Sequence, residues 1–264
     1  MNFLDQNEKS LTKKFLQNGY LIEKSESKKS LKYIEETIQK SVRKYLKIKK
    51  KINLNNIHKY ISLSELNDFR IKIIQDLSID KNFRYHYFNI ARKKLYAIVG
   101  NELMMQRNIN LSIQFPNDAS SLLPIHSDVW SGDSPYEINL WLPLVDCFKT
   151  KSMYLLHQKK YKIFEKKINK TKNNSSSQIY KKISKEVSWM NIKYGNFLLF
   201  NQSLPHGNIV NKEKETRWSF NCRFKSIFSP YVDKKIGEFF LPITTRAATE
   251  IGINYKSPFE NNET

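Results

Sequence analysis

The chain has 264 residues, of which 40% are hydrophobic and 13% aromatic, a composition typical of a folded globular protein and not of a disordered one. No apolar run approaches the about 20 residues that cross a bilayer, and the polar start of the chain lacks the apolar core of a signal peptide. Cys147 and Cys222 lie far apart and show neither metal-binding nor redox spacing, so we expect reduced thiols in a cytoplasmic protein.

The net charge of +20 suggests an acidic partner such as nucleic acid. Only eight of the 45 basic residues are arginine, however, and arginine is the residue preferred for phosphate and base contacts. The lysines are spread over segments with a helical pattern, such as 40–51 and 159–185. We therefore expect no nucleic-acid partner and keep nucleic-acid binding as an alternative. Nothing in the sequence indicates an oligomeric state.

Residues 1–105 are predicted to form a mainly helical region that packs on the rest of the protein. A short first helix ends at Gly19, and a short strand follows at 20–22. The next segment carries one apolar helical stripe, formed by Leu31, Ile34, Ile38 and Val42.

The remainder of this region continues the helical pattern. Ser62 and Glu65 have the spacing of a capping box, which predicts a helix that opens there and runs through Ile74. A further helical pattern covers 82–99 and ends at Gly100.

Residues 106–264 carry the alternation of apolar and polar side chains that half-buried strands show. It is clearest at 109–116 and at 137–146, where Pro143 indicates an edge strand or the end of a strand. Further strands are predicted at 152–158, 195–202 and 217–228. Several short strands without alternating helices favour an antiparallel sandwich or barrel.

A charged insertion at 158–187 interrupts these strands. Its low-complexity middle, INKTKNNSSSQ at 168–178, predicts two helical pieces joined by a mobile loop. No internal repeat is evident.

His126 and Asp128 lie two residues apart in PIHSDVWSGD, residues 124–133. On an extended chain, side chains at i and i+2 project to the same face, so one metal ion could bind both. In a chain with five histidines such a pair also arises by chance, and by itself it is a weak signal.

His206 is the best candidate for a third ligand. In GNFLLFNQSLPHGN, an apolar strand leads into a polar turn that carries this histidine beside Gly207. The other histidines have less distinctive settings, two in helical stretches and one beside the insertion: His58, His86 and His157. Two histidines and one carboxylate leave three adjacent coordination positions open, which is typical of non-haem Fe(II) oxygenases.

The strand at 217–228 has one polar face, formed by Arg217, Ser219, Asn221 and Arg223. Such a face suits a pocket wall, where an arginine presents a planar fork matched to a carboxylate. A 2-oxo acid and O₂ could then occupy the open metal positions while an arginine binds the far carboxylate of the acid. The alternative is the solvated face of a surface strand, since exposed antiparallel faces are commonly polar.

With these four positions in place, the sequence resembles the 2-oxoglutarate/Fe(II)-dependent dioxygenases, and most of all their phytanoyl-hydroxylase-like branch. The resemblance rests on His126-x-Asp128, on His206, and on Arg217 eleven residues further along. The segments LLPIHSDVWSGDSPYEINLWLPLVDCFKTKSMYLL and LPHGNIVNKEKETRWSFNCRFKSIFSPY resemble, more narrowly, a subfamily found in sporadic surface-carbohydrate biosynthesis clusters.

The resemblance implies a double-stranded β-helix, or jelly roll, at 106–264 with helical support from 1–105. It implies an oxygenase that uses Fe(II), 2-oxoglutarate and O₂, releases succinate and CO₂, and hydroxylates a carbohydrate or a nucleotide-linked sugar. His126, Asp128 and His206 would be the metal ligands and the catalytic centre. The presence of Asp128 argues against halogenation, because the halogenases of this superfamily have a small residue at that position.

Several roles stay open at this point. Either Arg217 or Arg223 could bind 2-oxoglutarate, and the spacing from His206 favours Arg217. Gln114 and Asn139, on polar strand faces, could also bind the co-substrate, although ordinary buried polar pairing would explain them equally well. A sugar could contact Trp130, Asp133 and Trp141, although tryptophans more often belong to the core.

Two other functions remain as alternatives. The R-x-S-x-N-x-R run also resembles the paired arginines of the alkylation-repair dioxygenases, so a nucleic-acid-directed oxygenase is one of them. The other is a basic binding protein without catalytic activity, which would bind nucleic acid in a strongly salt-dependent manner.

Overall fold

The structure is a computed structural model that describes residues 3–168 and 175–258. A first helix, α1 (Gln6–Asn18), precedes strand β1 (Tyr20–Lys24). Four more helices and one 3-10 helix follow: α2 (Lys28–Leu46), the 3-10 helix Leu54–Lys59, α3 (Leu66–Ile79), α4 (Phe83–Asn89) and α5 (Arg92–Val99). The predicted helical character of this region is therefore confirmed.

The ends of α1 have clear local causes. Asp5 and Glu8 form a capping box at its start, so that two otherwise free backbone N–H groups are satisfied. Gly19 closes the helix with a φ of 80°, in the left-handed region that glycine adopts without steric cost. The turn then leads directly into β1, as the sequence predicts.

The start predicted for α3 is wrong by three residues, because the residue that caps the helix is Glu65 and not Ser62. Ser62 does pair with Glu65: its backbone N–H and its hydroxyl both donate to the Glu65 carboxylate. These bonds close a turn that lies ahead of the helix, whose first residue is Leu66. The helix also continues to Ile79, five residues beyond the predicted end.

The single helical pattern predicted for 82–99 is two helices, α4 and α5. The break comes at Ile90, whose carbonyl oxygen accepts a hydrogen bond from the backbone N–H of Glu26 and so leaves the helical ladder. The Glu26 carboxylate then accepts from the backbone N–H groups of Lys93 and Lys94 and caps α5. Glu26, which lies 67 residues before Lys93, thus causes this break, so no local pattern indicates it.

The second half of the chain is rich in antiparallel strands. They are β2 (Leu103–Gln106), β3 (Asn110–Gln114), β4 (Ile138–Pro143), β5 (Tyr154–Leu156), β6 (Val187–Trp189), β7 (Asn196–Asn201), β8 (His206–Gly207), β9 (Arg217–Ser226) and β10 (Phe240–Thr244). The larger sheet has the order β1-β7-β4-β9-β2-β10, with β3 also paired to β9, and the smaller sheet has the order β6-β5-β8. Every pairing between these named strands is antiparallel, as expected.

The border expected between a helical region and a β region is crossed by hydrogen bonds. Strand β1, which lies within residues 1–105, pairs along its full length with β7. Pro143 is the last residue of β4, and β4 lies between β7 and β9, so the proline marks a strand end in the interior of the sheet. The division of the chain at residue 105 stays a prediction.

The remaining helices flank the sheets: α6 (Gln158–Ile168), α7 (Ser176–Ile183) and α8 (Ala247–Asn254). The first two are the helical pieces expected in the insertion at 158–187. The middle of the low-complexity segment, residues 169–174, lies outside the described residues. Within the described part of the chain, no helix has the length and apolar character needed to cross a bilayer.

The N-terminal helices cover one face of the larger sheet. Trp218 of β9 is fully buried against Phe69 of α3, with ring centroids 5.8 Å apart, and its indole N–H donates to the Leu54 carbonyl over 3.0 Å. Phe220, two residues further along, packs on Phe83 of α4 at 5.4 Å. Each such buried aromatic side chain stabilises the fold by about 1.5–3 kcal/mol. Because side chains alternate along a strand, the opposite face of β9 is left free to line a cavity.

Candidate active site

A cavity of about 400 Å³ opens on the polar face of the larger sheet. Three neighbouring strands supply much of its wall: Asn110 and Ser112 from β3, Asn139 and Trp141 from β4, and Arg217, Ser219, Asn221 and Arg223 from β9. The polar face predicted for β9 therefore lines a cavity and is not a solvated surface. His126, Asp128 and His206 line the same cavity.

The two histidines are held opposite each other by their own backbones. The backbone N–H of His126 donates to the carbonyl of His206 over 3.0 Å, and the reverse hydrogen bond is 2.8 Å long. This bridge places the two rings 4.3 Å apart between their centroids. The polar turn after β7 thus brings His206 to His126 across 80 residues of sequence.

Each histidine ring is oriented by a hydrogen bond of the same kind. The Nδ1 atom of His126 lies 2.8 Å from the Pro124 carbonyl oxygen, and Nδ1 of His206 lies 2.8 Å from that of Leu204. A carbonyl only accepts, so Nδ1 carries a proton and Nε2 is the nitrogen that can bind a metal ion. Burial lowers the pKa of His206 to about 4, helped by the nearby His126, so this ring is neutral at neutral pH.

Asp128 lies between the two Nε2 atoms. Its Oδ1 atom is 3.4 Å from Nε2 of His126 and 3.9 Å from Nε2 of His206. Burial acts to raise the pKa of its carboxyl, but the contacts with His126 and His206 and the charge of Arg223 outweigh burial and hold that pKa well below its usual range. The carboxylate is therefore ionised.

These three groups can hold a divalent metal ion. One ligand atom from each of His126, Asp128 and His206 lies within 4.8 Å of the other two. Two imidazole Nε2 atoms, each oriented by a hydrogen bond at Nδ1, and one ionised carboxylate are the donor set of the two-histidine, one-carboxylate metal sites. The geometry therefore fits a metal ion of this class.

Arg217 reaches the cavity from the start of β9. It is 4% exposed, and burial lowers the pKa of its guanidinium to about 10, so it remains charged at neutral pH. Its Nη2 donates to the Ser112 hydroxyl over 2.9 Å and its Nη1 contacts the Ser152 carbonyl at 3.4 Å. Its Nε has no hydrogen-bond partner, and the described residues supply no carboxylate within ion-pair distance.

Two other cavity-lining groups also lack partners. The Oδ1 atom of Asn139 and the hydroxyl of Ser219 are buried without a hydrogen bond. Buried polar groups without partners cost free energy, and native proteins keep few of them. A polar ligand in the cavity would supply the missing hydrogen bonds, and its carboxylate would pair with Arg217.

Arg223 has the opposite surroundings. Its Nη2 lies 3.2 Å from Oδ2 of Asp128 and 3.2 Å from Oδ2 of Asp133, and its Nε donates to Oε1 of Gln202 over 2.9 Å. The Oε2 atom of Glu137 lies 4.0 Å from the same Nε. The guanidinium is thus occupied by acidic and amide groups of the protein itself.

The remaining predicted site residues are distributed as follows. Gln114 is fully buried, donates to the Ile209 carbonyl over 2.9 Å and accepts from Asn208 over 3.4 Å; it is not part of the cavity wall, whereas Asn139 is. Trp141 lines the cavity. Asp133 lines it too, but Arg223 and Lys234 already pair with its carboxylate.

The histidines judged less distinctive lie elsewhere. His58 contacts the Thr216 hydroxyl, His86 stacks on Tyr33, and His157 contacts Asn18. None of them is part of the cavity wall.

Sequence reasoning missed Glu137 and Gln202, which lie beside Arg223, and Lys234, which pairs with Asp133. Glu137 could have been found, because it precedes Asn139 by two residues and continues the same polar face of β4. Gln202 and Lys234 lie in turns with no periodic signal, and only the fold brings them to their partners.

No protein-family model matches this sequence, and no curated protein matches it either. Solved structures do match it by fold. The nickel complex of the non-heme monooxygenase ThoJ has a TM-score of 0.58 at 12% identity, over 90% of this chain and 85% of that chain. The apo form of ThoJ has a TM-score of 0.55 at 10% identity, over 89% and 84%.

A third structure, HygX from Streptomyces hygroscopicus with nickel and 2-oxoglutarate bound, has a TM-score of 0.50 at 11% identity, over 88% of this chain and 90% of that chain. Such low identities carry information on the fold and not on the substrate. The antiparallel sheets and flanking helices of this protein therefore have the fold of these non-haem enzymes.

Proposed function

We propose that this protein is an Fe(II)/2-oxoglutarate-dependent oxygenase. The observation that carries the proposal is the pairing of two features in one cavity: the ligand set His126, Asp128 and His206, and the buried cation Arg217, which lacks a carboxylate partner among the described residues. A metal set alone would suit many enzymes. A buried guanidinium that faces the same cavity calls for an anion bound beside the metal.

In this proposal, His126, Asp128 and His206 bind Fe(II), and their three ligand atoms leave the other positions of the ion to the co-substrate and O₂. Arg217 binds the distal carboxylate of 2-oxoglutarate through its free Nε and its Nη groups. Ser219 and Asn139, whose buried oxygen atoms lack partners, complete the polar lining around the co-substrate.

Arg217 is favoured over Arg223 as the 2-oxoglutarate residue because of their charge surroundings. Arg223 already contacts Asp128 and Asp133. A second anion there would have to displace a protein carboxylate, at a large cost for a buried pair. Arg217 has no such competitor among the described residues.

When bound, Fe(II) and 2-oxoglutarate would supply an O₂-dependent oxidation of an unactivated C–H bond, with succinate and CO₂ as co-products. The task of the protein is to orient the groups and to exclude water. Phe200, Met153 and Trp141 give the cavity apolar walls on the sheet side and near the histidines. Asp128 leaves no space for a halide ligand, so hydroxylation is the proposed outcome.

The finer parts of the proposal follow the sequence resemblance. The strands would close into a double-stranded β-helix at 106–264, supported by the helices of 1–105, in a cytoplasmic enzyme. The substrate would be a carbohydrate or a nucleotide-linked sugar. Asn110 and Asn221 support this: they hydrogen-bond to each other over 2.8 Å, line the cavity with Trp141, and offer amide groups that suit hydroxyls.

The deciding experiment is an anaerobic titration of the purified protein with Fe(II) and 2-oxoglutarate. We expect a visible absorption band that is lost in His126→Ala and in Asp128→Ala. His157→Ala is the matched control, because this histidine lies outside the cavity, and it should keep the band. Absence of the band in the unmodified protein would overturn the proposal and favour a basic binding protein. Persistence of the band in both site variants would overturn the assignment of His126 and Asp128 as metal ligands. Succinate release with a panel of nucleotide sugars and glycans then tests the substrate class.

A further inference from the structure

Arg223 contacts the metal-site carboxylate on the side that faces away from the histidines. Oδ1 of Asp128 is the atom near both Nε2 atoms, at 3.4 and 3.9 Å. Oδ2 is the atom that Arg223 contacts, at 3.2 Å from Nη2 and 3.4 Å from Nε. The two oxygens of one carboxylate therefore have separate partners.

The guanidinium is itself held in place from two sides. Nη2 also pairs with Oδ2 of Asp133, and Nε donates to the side chain of Gln202. The amide of Gln202 in turn donates to Oε2 of Glu137 over 2.8 Å and to the Ser134 carbonyl over 3.1 Å. Since a guanidinium is planar and rigid, these contacts fix its orientation against Asp128.

The backbone of Asp128 belongs to the same unit. Its N–H donates to the carbonyl oxygen of Gln202 over 3.1 Å. Gln202 therefore holds the main chain of Asp128 directly and its side chain through Arg223. Both the position and the rotation of the carboxylate are determined before any metal binds.

We propose that Arg223 is a positioning residue that presents Asp128 to the metal through Oδ1 alone. The inference rests on the proposed function, since it assigns a role toward the metal of that same site. A carboxylate without a partner on Oδ2 can turn and bind a cation through both oxygens. Two-oxygen binding would take one of the open positions that a two-point 2-oxo acid and O₂ require.

The shape of the guanidinium matters to this role as much as its charge. A lysine ammonium is a point charge on a mobile stem and cannot bridge Asp128, Asp133 and Gln202 at once. A purely electrostatic contribution would be retained in Arg223→Lys, whereas positioning would not. The Arg223→Lys variant keeps the charge but removes the planar guanidinium, so it separates the two roles.

The test uses Co(II) as the probe, added to the metal-free full-length protein in the absence of 2-oxoglutarate. The visible spectrum of Co(II) changes with the number and arrangement of its ligands, and the same titration gives the dissociation constant. We expect Arg223→Met to bind Co(II) about tenfold or more weakly, and with an altered spectrum. Arg223→Lys should show the same spectral change with a smaller loss of affinity.

Lys234→Met is the matched control. Lys234 pairs with Asp133 in the same cavity wall but makes no contact with Asp128, so its removal disturbs the acidic cluster and not the carboxylate on the metal. We expect this variant to keep the affinity and the Co(II) spectrum of the unmodified protein. Loss in both Lys234→Met and Arg223→Met would reduce Arg223 to one member of a structural network and overturn the inference.

Two further outcomes also overturn it. One is a spectrum and an affinity unchanged in both Arg223 variants; the other is tighter Co(II) binding in Arg223→Met with an unchanged spectrum, which would mean that Arg223 acts only by repelling the cation. If Arg223→Met does not fold, the spectrum of Arg223→Lys decides. Failure of the proposed function is a different result: the unmodified protein then binds no Co(II), or Asp128→Ala binds it equally well.

Discussion

Arg217 and Arg223 lie on the same face of the same strand, six residues apart, yet their surroundings differ completely. Arg217 is buried with a free Nε and no carboxylate partner among the described residues. Arg223 touches Asp128 and Asp133 and lies near Glu137. The residue type is the same, so the difference lies in the neighbours that each strand position meets. The Arg217 end of the cavity can bind an external anion, whereas carboxylates of the protein already neutralise the charge of Arg223.

The comparison also concerns energy. A buried charge without a partner destabilises a fold, and such groups persist in proteins mainly at functional sites. A buried ion pair, in contrast, becomes costly only when one partner is removed. The same kind of substitution should therefore have opposite effects on stability at the two positions.

The largest effect is expected for the stability of Arg223→Met. This variant leaves Asp128, Asp133 and Glu137 close together without their shared cation, and the free energy of unfolding should fall by about 4 kcal/mol. Chemical denaturation of the metal-free protein measures this change.

Lys234→Met should cost about 1 kcal/mol, because the Lys234 side chain is 28% exposed and Arg223 still pairs with Asp133. Equal losses in the two variants would mean that the acidic cluster does not depend on Arg223 in particular.

The next effect concerns ligand binding at the other end. Arg217→Met should weaken 2-oxoglutarate binding to the metal-loaded protein by about 100-fold, or about 2.7 kcal/mol, because the distal carboxylate loses its counter-ion. The metal-free protein should be as stable as the unmodified one or more stable, since an unpaired buried charge is gone. Anaerobic titration and thermal unfolding give the two values. If Arg217→Met loses stability but binds 2-oxoglutarate normally, Arg217 stabilises the fold and does not bind the co-substrate.

The smallest effect separates the two amides of the polar strand faces. Asn139→Leu should weaken 2-oxoglutarate binding by about tenfold, because its side chain lines the cavity with an unpaired oxygen. Gln114→Leu should change this affinity by no more than about threefold and should instead cost about 1–2 kcal/mol of stability, because its hydrogen bonds to Ile209 and Asn208 are lost. Anaerobic titration with 2-oxoglutarate and thermal unfolding of both variants check this. A larger loss of 2-oxoglutarate affinity in Gln114→Leu than in Asn139→Leu would mean that Gln114 binds the co-substrate.

The sequence predicted the parts of the site that local patterns encode. His126 and Asp128 are two apart, His206 follows an apolar strand, and the alternation along β9 puts both arginines on one face. Each of these signals is contained within about ten residues. The period of a strand was enough to predict which face would be polar, and the structure places that face in the cavity.

What the sequence could not supply are partners set by register and by long-range turns. Gln114 and Asn139 look equivalent on their strands, but the side chain of Gln114 bonds to Ile209 and Asn208, 95 and 94 residues further along the chain, whereas that of Asn139 lines the cavity. The helix break at Ile90 depends in the same way on Glu26. Two-residue strands such as β8 are too short to carry any periodic signal.

The hydrogen bonds that orient the two metal-site histidines have an evolutionary consequence. In both cases Nδ1 binds the main-chain carbonyl of the residue two positions earlier, Pro124 or Leu204, and never its side chain. Almost any amino acid offers the same carbonyl, so natural selection can exchange these neighbours freely, whereas a single insertion or deletion would turn the ring away. A lineage of such proteins could therefore change the residues ahead of each histidine while it keeps their spacing.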